Sequence, residues 1–68
     1  METISDDSDL RISRRIRLER EARGWSLAQA AGAAGVSKAM ISRIERGEAS
    51  PTAALLARIA AGFGLTLA

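Results

Sequence analysis

Four residues near the centre of the chain have the types and the spacing of a surface that contacts another molecule. These are Lys38, Ala39, Ser42 and Arg43. In a helix of about 3.6 residues per turn that points Ile41 inward, the outward positions are Ala39, Ser42, Arg43 and Arg46, and Lys38 flanks them at the amino end. Lysine and arginine can donate hydrogen bonds to guanine O6 and N7, serine can donate or accept, and an alanine methyl can contact a thymine methyl. The pattern therefore predicts reading of base edges, with Arg43 first and Lys38 second as guanine contacts.

Two short helices joined by a tight turn must position this surface. Ser26, paired with Gln29, caps the first helix, and Gly35 makes the turn. Ser37 caps the second helix, and Gly47 ends it. Ser26 and Gln29 have the spacing of a capping box, so they predict a helix over 26–34, and a second helix over 37–46 follows the turn at Gly35-Val36. Two such helices form a helix-turn-helix, whose second helix enters the major groove of DNA.

Backbone phosphates would be bound on both sides of that second helix. The amino end of helix 26–34 has free N–H groups and a partial positive charge, which favour an anion. The candidate phosphate-binding residues are Ser26, Leu27 and Ala28 at this end, and Arg46, Gly47 and Ser50 beyond the second helix. Further arginines precede them in the chain, namely Arg11, Arg14, Arg15 and Arg17. They could add long-range attraction to DNA, but the preferred interpretation of each is a solvent-exposed charge.

Arg20 and Glu45 are predicted to form a structural salt bridge. Arg20 lies one helical turn after Ile16, and Glu45 lies one turn after Ile41, so both charges point towards the core. An unpaired buried charge costs several kcal/mol, on the order of 3–5. The two side chains should therefore pair and fix the angle between the first helix and the helix over 37–46.

The amino-terminal residues predict a leader and one long helix. Residues 1–8 are polar and aperiodic, which is typical of a disordered acidic leader. Asp9 could cap a first helix running to Arg23, with Gly24 ending it. The globular domain is thus expected over residues 9–68.

The carboxy-terminal residues predict a fourth helix and the start of a fifth. Pro51-Thr52 opens the fourth helix, since proline is tolerated at a helix start, and Gly64 ends it. Residues 65–68 have the pattern of a fifth helix that is cut short, which suggests the amino-terminal part of a longer protein. With no alternating strand pattern, the predicted class is all-α, a compact bundle of four helices plus the start of a fifth.

Composition excludes several other classes of function. The 68 residues contain no histidine and no cysteine, so the commonest general base and metal ligands are lacking, and neither an enzyme, a metal site nor a cofactor is expected. No apolar run approaches the roughly 20 residues of a membrane span. Residues 1–9 carry four acidic and no basic residues, whereas residues 10–68 carry ten basic and four acidic ones. This basic domain favours a polyanionic partner, and the lack of cysteine suits a cytoplasmic location.

From Ile16 to Leu67 the chain resembles the Cro/C1-type (XRE) family of helix-turn-helix regulators, without gaps. The matching positions are Arg20, Gly24, Ala31, Gly35-Val36-Ser37, Ile41-Ser42, Ile44-Glu45, Gly47, Pro51-Thr52 and Ile59-Ala60. The chain departs from the family pattern at Ala30 and Trp25, where leucine is common, and at Ala39, where a polar base-reader is common.

The resemblance implies a five-helix, lambda-repressor-like domain that binds double-stranded operator DNA, commonly as a homodimer on a palindrome. It implies base contacts at the positions of Lys38, Ala39, Ser42 and Arg43, and phosphate contacts near Ser26 and Arg46. The Arg20–Glu45 bridge also recurs in the family. The segment over 37–52 is similar to regulators that carry a carboxy-terminal cupin sensor domain, which these 68 residues do not contain.

A protein-interaction module is the alternative function. Some helix-turn-helix domains bind a partner protein, such as a toxin or a polymerase subunit. Leu18, Leu65 and Leu67 are predicted to be exposed and would serve such a role, although a fifth helix could equally cover them. Binding of DNA should weaken steeply with salt, and this dependence distinguishes the two functions.

Overall fold

The computed structural model describes residues 4–65, with side chains from Leu10 onward, and these residues form four α-helices without a strand. The helices are α1 (Ile4–Ala22), α2 (Leu27–Ala34), α3 (Lys38–Glu45) and α4 (Ala53–Phe63). The all-α class is confirmed. The predicted fifth helix falls on residues 66–68, which lie outside the described residues, and Leu65 itself is not helical.

The beginning of α1 differs from the prediction. The described helix begins at Ile4, so Asp9 lies inside it and is not its cap. The predicted leader over residues 1–8 overlaps this helix at residues 4–8, and residues 1–3 lie outside the described residues. Acidic residues in the first turns of a helix interact favourably with its positive end. The acidic run therefore suits a helix start, a possibility that polarity alone does not reveal.

The ends of the other helices lie within one or two residues of their predicted positions. Ser26 caps α2 and Ser37 caps α3, each accepting a hydrogen bond from the backbone three residues later. The cap of α4 is Thr52, whose Oγ1 accepts from Leu55 N at 3.1 Å. Pro51 therefore directly precedes the cap, and the helix itself begins at Ala53.

Gly35 makes the turn between α2 and α3. It adopts the left-handed conformation with φ of 70°, and the next residue, Val36, donates its N–H to Ala31 O at 3.1 Å. This is the hydrogen bond of a Schellman ending, in which a residue with a Cβ would be strained. The turn sets the direction in which α3 leaves α2.

The core is built from a few isoleucines and many small residues. Its largest fully buried side chains are Ile41, Ile44 and Ile59, and Phe63 closes it from α4. The buried face of α2 consists of Ala30, Ala31 and Ala34. Alanines on this face let α2 and α4 approach closely, and α3 packs against the small core that they form.

Candidate nucleic-acid interface

The inward face of α3 holds this helix against the rest of the domain. Ile41 and Ile44 are fully buried, and Met40 is half-buried beside them. The predicted orientation of the helix is thereby confirmed. Because one face is fixed in the core, the opposite face is presented to solvent in a defined direction.

The outward face of α3 borders a groove of about 390 Å³ between α3 and the start of α2. Its lining contains all four predicted base-reading residues and two of the predicted phosphate contacts; the full set is Leu27, Lys38, Ala39, Ser42, Arg43 and Arg46. Lys38, Ala39 and Arg43 are exposed, whereas Ser42 is half-buried. Within residues 10–65, neither Lys38 nor Arg43 forms an ion pair, so both cations are available to acceptors on another molecule.

The amino end of α2 supplies backbone donors beside this groove. Ser26 N donates to Gln29 Oε1 at 2.7 Å, and Gln29 N donates to Ser26 Oγ at 3.1 Å, which completes the predicted capping box. The first N–H groups of an α-helix have no acceptor inside the helix. The capping box satisfies two donors of this turn, so those of Leu27 and Ala28 remain for an external anion.

The segment after α3 places a further cation next to the groove. Arg46 is exposed, and its Nη2 lies 3.1 Å from Glu48 Oε1 in a solvent-accessible pair. Gly47 has φ of 74°, and its N–H already donates to Ile44 O at 3.0 Å. Gly47 therefore shapes the turn that presents Arg46, while Ser50 is exposed at the end of the same loop.

The predicted pair between Arg20 and Glu45 is present. Arg20 Nε lies 2.7 Å from Glu45 Oε2 and Arg20 Nη2 lies 2.9 Å from Glu45 Oε1, so the guanidinium holds both carboxylate oxygens. The side chains are only 16% and 7% exposed. Arg20 Nη1 also donates to Trp25 O at 2.9 Å. The hydrogen bonds to Glu45 raise the pKa of Arg20 above its ordinary value, so the arginine stays charged.

A second arginine, Arg23 in the turn directly after α1, has a structural role that was not predicted. Its guanidinium lies over the rings of Trp25 and Phe63, at 5.7 and 5.4 Å from their centroids, and it donates to Phe63 O. The two rings contact edge to face at 5.3 Å. Arg23 Nη1 also donates to Glu19 Oε1 at 2.7 Å, and Arg23 and Arg15 together lower the pKa of Glu19. The spacing of four between Glu19 and Arg23 was the available sequence signal.

The leucines predicted to be exposed behave differently from one another. Leu18 is 56% exposed on α1, as expected for a residue pointing away from the core. The expectation for Leu65 was wrong: it is half-buried and packs against the core cluster, where the backbone bond from Leu65 N to Ala60 O holds it. Leu67 lies outside the described residues.

The part of the chain that the structure describes contains neither a candidate membrane span nor a candidate metal site. None of its helices combines the length and the apolar character needed to cross a membrane. Residues 4–65 also contain no group of three or more acidic, histidine or cysteine side chains placed to hold a metal ion.

Comparison with known proteins gives consistent matches. A family model described as Helix-turn-helix (HTH_3) matches residues 16–68. The HTH-type transcriptional regulator SutR of Escherichia coli K12 is 50% identical over 54 residues, which are 79% of this chain and 30% of that protein. A crystal structure of an HTH_3 family transcriptional regulator from Vibrio cholerae superposes with a TM-score of 0.82 at 45% identity, covering 85% of this chain and 33% of that one. The chain thus spans about a third of the length of each of these relatives.

Proposed function

Because the chain belongs to the helix-turn-helix (HTH_3) family, we propose that it binds double-stranded DNA sequence-specifically as the DNA-binding part of a transcription regulator. The observation that carries the proposal is the groove beside α3, in which Lys38 and Arg43 are exposed and unpaired among the described residues. Two cations without carboxylate partners, on a helix whose other face is fixed in the core, suit the acceptor-rich major groove. The relatives named above, which are called transcriptional regulators, support the same function.

Each residue of the groove has a separate role in this proposal. Arg43 and Lys38 donate to guanine, Ser42 adds a hydrogen bond of lower selectivity, and Ala39 lets the helix approach closely or contacts a thymine methyl. The amides of Leu27 and Ala28 bind a phosphate on one side of α3. Arg46 binds a phosphate on the other side, where it would exchange its exposed contact with Glu48 for the more highly charged DNA backbone.

Selection of binding sites from a random duplex library tests this function directly. We expect enrichment of a defined sequence, and a homodimer would reveal itself by palindromic half-sites about one helical turn apart. The affinity for the selected site should fall steeply with salt, since each neutralised phosphate contributes a slope of about −0.9. Absence of duplex binding at low salt, or binding that salt does not affect, would instead favour a protein partner for the exposed surface.

Two arginine variants test the division between base and phosphate contacts. We expect Arg43→Ala to weaken binding by about 1–3 kcal/mol at the selected site and to relax the preference at one base position. We expect Arg46→Ala to weaken binding to all sequences by a similar factor, because a phosphate contact carries no base information. Repeating the selection with both variants measures the difference. Indistinguishable sequence profiles for the two variants would contradict the assigned roles.

A further inference from the structure

A second groove lies on the α1 side of the loop that follows α3. Its volume is about 200 Å³, and it is lined by residues of α1, of the carboxy end of α3 and of the loop that follows. The residues that line it are Leu10, Ser13, Arg14, Arg17, Glu45, Arg46 and Gly47. Helical periodicity did not separate two of these arginines, Arg14 and Arg17, from the other arginines of α1. The structure places both of them beside Arg46.

The charge of this groove is positive and little compensated. Glu45 is the one carboxylate among its lining residues, and Arg20 already holds both of its oxygens. Arg14 is exposed and forms no ion pair with any other described residue. Arg17 contacts Glu21 at 3.2 Å, but both side chains are about half exposed or more, and such a surface pair contributes little. The groove therefore presents arginines that can bind an anion.

Arg46 joins this groove to the one beside α3, because it lines both. A DNA strand carries one phosphate per about 3.4 Å of helix axis, so a strand that passes Arg46 presents further phosphates on either side of it. We propose that Arg14, assisted by Arg17, binds the DNA phosphate next to the one at Arg46. This inference rests on the proposed function and extends the DNA interface from α2 and α3 onto α1.

A contact from α1 would fix the angle at which α3 lies in the major groove. The Arg20–Glu45 pair ties α1 to the last turn of α3. Phosphate contacts at α2, at Arg46 and at Arg14 would then hold the domain at three separate points. Contacts of this kind set the register and the orientation of a protein on DNA without reading its sequence.

The test compares Arg14→Gln with Arg58→Gln in the full chain, using the duplex obtained by site selection. Arg58 is a matched control, because it is exposed on α4, lines neither groove and has no ion pair with a described residue. Binding is measured by fluorescence anisotropy over a series of salt concentrations. For Arg14→Gln we expect weaker binding and a salt slope shallower by about 0.9, the value for one phosphate contact. Arg58→Gln should leave the slope unchanged, and neither variant should alter base preferences.

The possible outcomes separate this inference from the proposed function. If the unmodified chain binds its duplex and Arg14→Gln retains the same slope, the contact on α1 does not exist. If Arg58→Gln reduces the slope equally, net charge and not a local contact is responsible, and the inference is again overturned. If the unmodified chain binds no duplex at any salt concentration, the proposed function fails first.

Adding Arg17→Gln to Arg14→Gln should reduce the affinity further, and thermal melting checks that each variant is folded.

Discussion

The Arg20–Glu45 pair shows how a single contact can support a binding surface without belonging to it. Both carboxylate oxygens of Glu45 are held by one guanidinium, and the same guanidinium caps the carbonyl of Trp25 after α1. A pair of this kind contributes little net stability, since removing both charges from water offsets their attraction. Its geometry is nevertheless specific, because two parallel hydrogen bonds fix the relative orientation of the partners. The pair therefore helps to fix the orientation of α3 relative to α1.

Removing the charge of one partner of this pair should lower the stability of the fold. We expect Glu45→Gln to lower the free energy of unfolding by about 3 kcal/mol, because it leaves the largely covered charge of Arg20 without a counter-ion. Urea denaturation measures the change. Glu48→Gln is the matched control, since its contact with Arg46 is exposed, and its effect should stay within about 0.5 kcal/mol. Similar losses for the two variants would contradict a special role for Glu45.

Some contacts of single residues could be predicted from the sequence, and others could not. The pairing of Arg20 with Glu45 followed from helical spacing, because both charges lie one turn after a core isoleucine. The role of Arg23 depends on Phe63, which is 40 positions away, and on the relative placement of α1 and α4. Helical periodicity carries no information on that placement. The groove that joins Arg14 to Arg46 was missed for the same reason.

At the level of elements, the helix ends were predictable because capping is local. Ser26 and Gln29 satisfy each other's backbone donors within four residues, and glycine at position 35 supplies the left-handed turn. The beginning of α1 was not predicted, since the segment has no apolar stripe and its acidic residues suit either a leader or a helix start. The groove beside α3 was largely predicted, because it requires only the inward direction of Ile41 and the neighbouring α2.

The packing of α4 on α2 depends on one glycine of α4. A Cβ built on Gly62 would lie 2.4 Å from Ala33 O and 2.8 Å from Ala34 Cα, which are backbone atoms of α2. Such atoms cannot move aside without shifting the helix. Gly62 therefore sets the distance between the two helices, and the alanines of α2 are small enough to allow it.

Two glycine substitutions should have opposite effects on stability. We expect Gly62→Ala to lower the free energy of unfolding by about 1–3 kcal/mol through overpacking. Gly32→Ala should raise it by up to about 1 kcal/mol, because Gly32 lies in α2 with open space around it and alanine is the better helix former. Thermal or urea denaturation of both variants gives the comparison. Stabilisation by both substitutions would show that α2 and α4 are not in the close contact described above.

For the molecule as a whole, the attraction of DNA depends more on the distribution of charge along the chain than on the net charge. The net charge of the chain is +2, yet every Lys and Arg lies after residue 9, and half of the acidic residues lie before residue 10. The proposed interface draws on three elements of the basic part, namely α1, α2 and α3. The acidic part occupies the amino-terminal end of the chain, where α1 begins. A DNA duplex bound at the proposed interface would therefore meet attraction from the basic residues and repulsion from the acidic amino-terminal end of the chain.

This arrangement predicts that the acidic residues slow association with DNA. We expect the combined variant Asp6→Asn, Asp7→Asn, Asp9→Asn to associate several-fold faster with duplex DNA at low salt, because steering depends on the summed charge. The advantage should disappear near 1 M salt, where the screening length is about 3 Å. Stopped-flow mixing with labelled DNA measures both rates, and the corresponding Asp→Glu variant controls for side-chain changes at constant charge. Equal association rates for the Asn and Glu variants at low salt would show that the acidic residues do not oppose DNA binding.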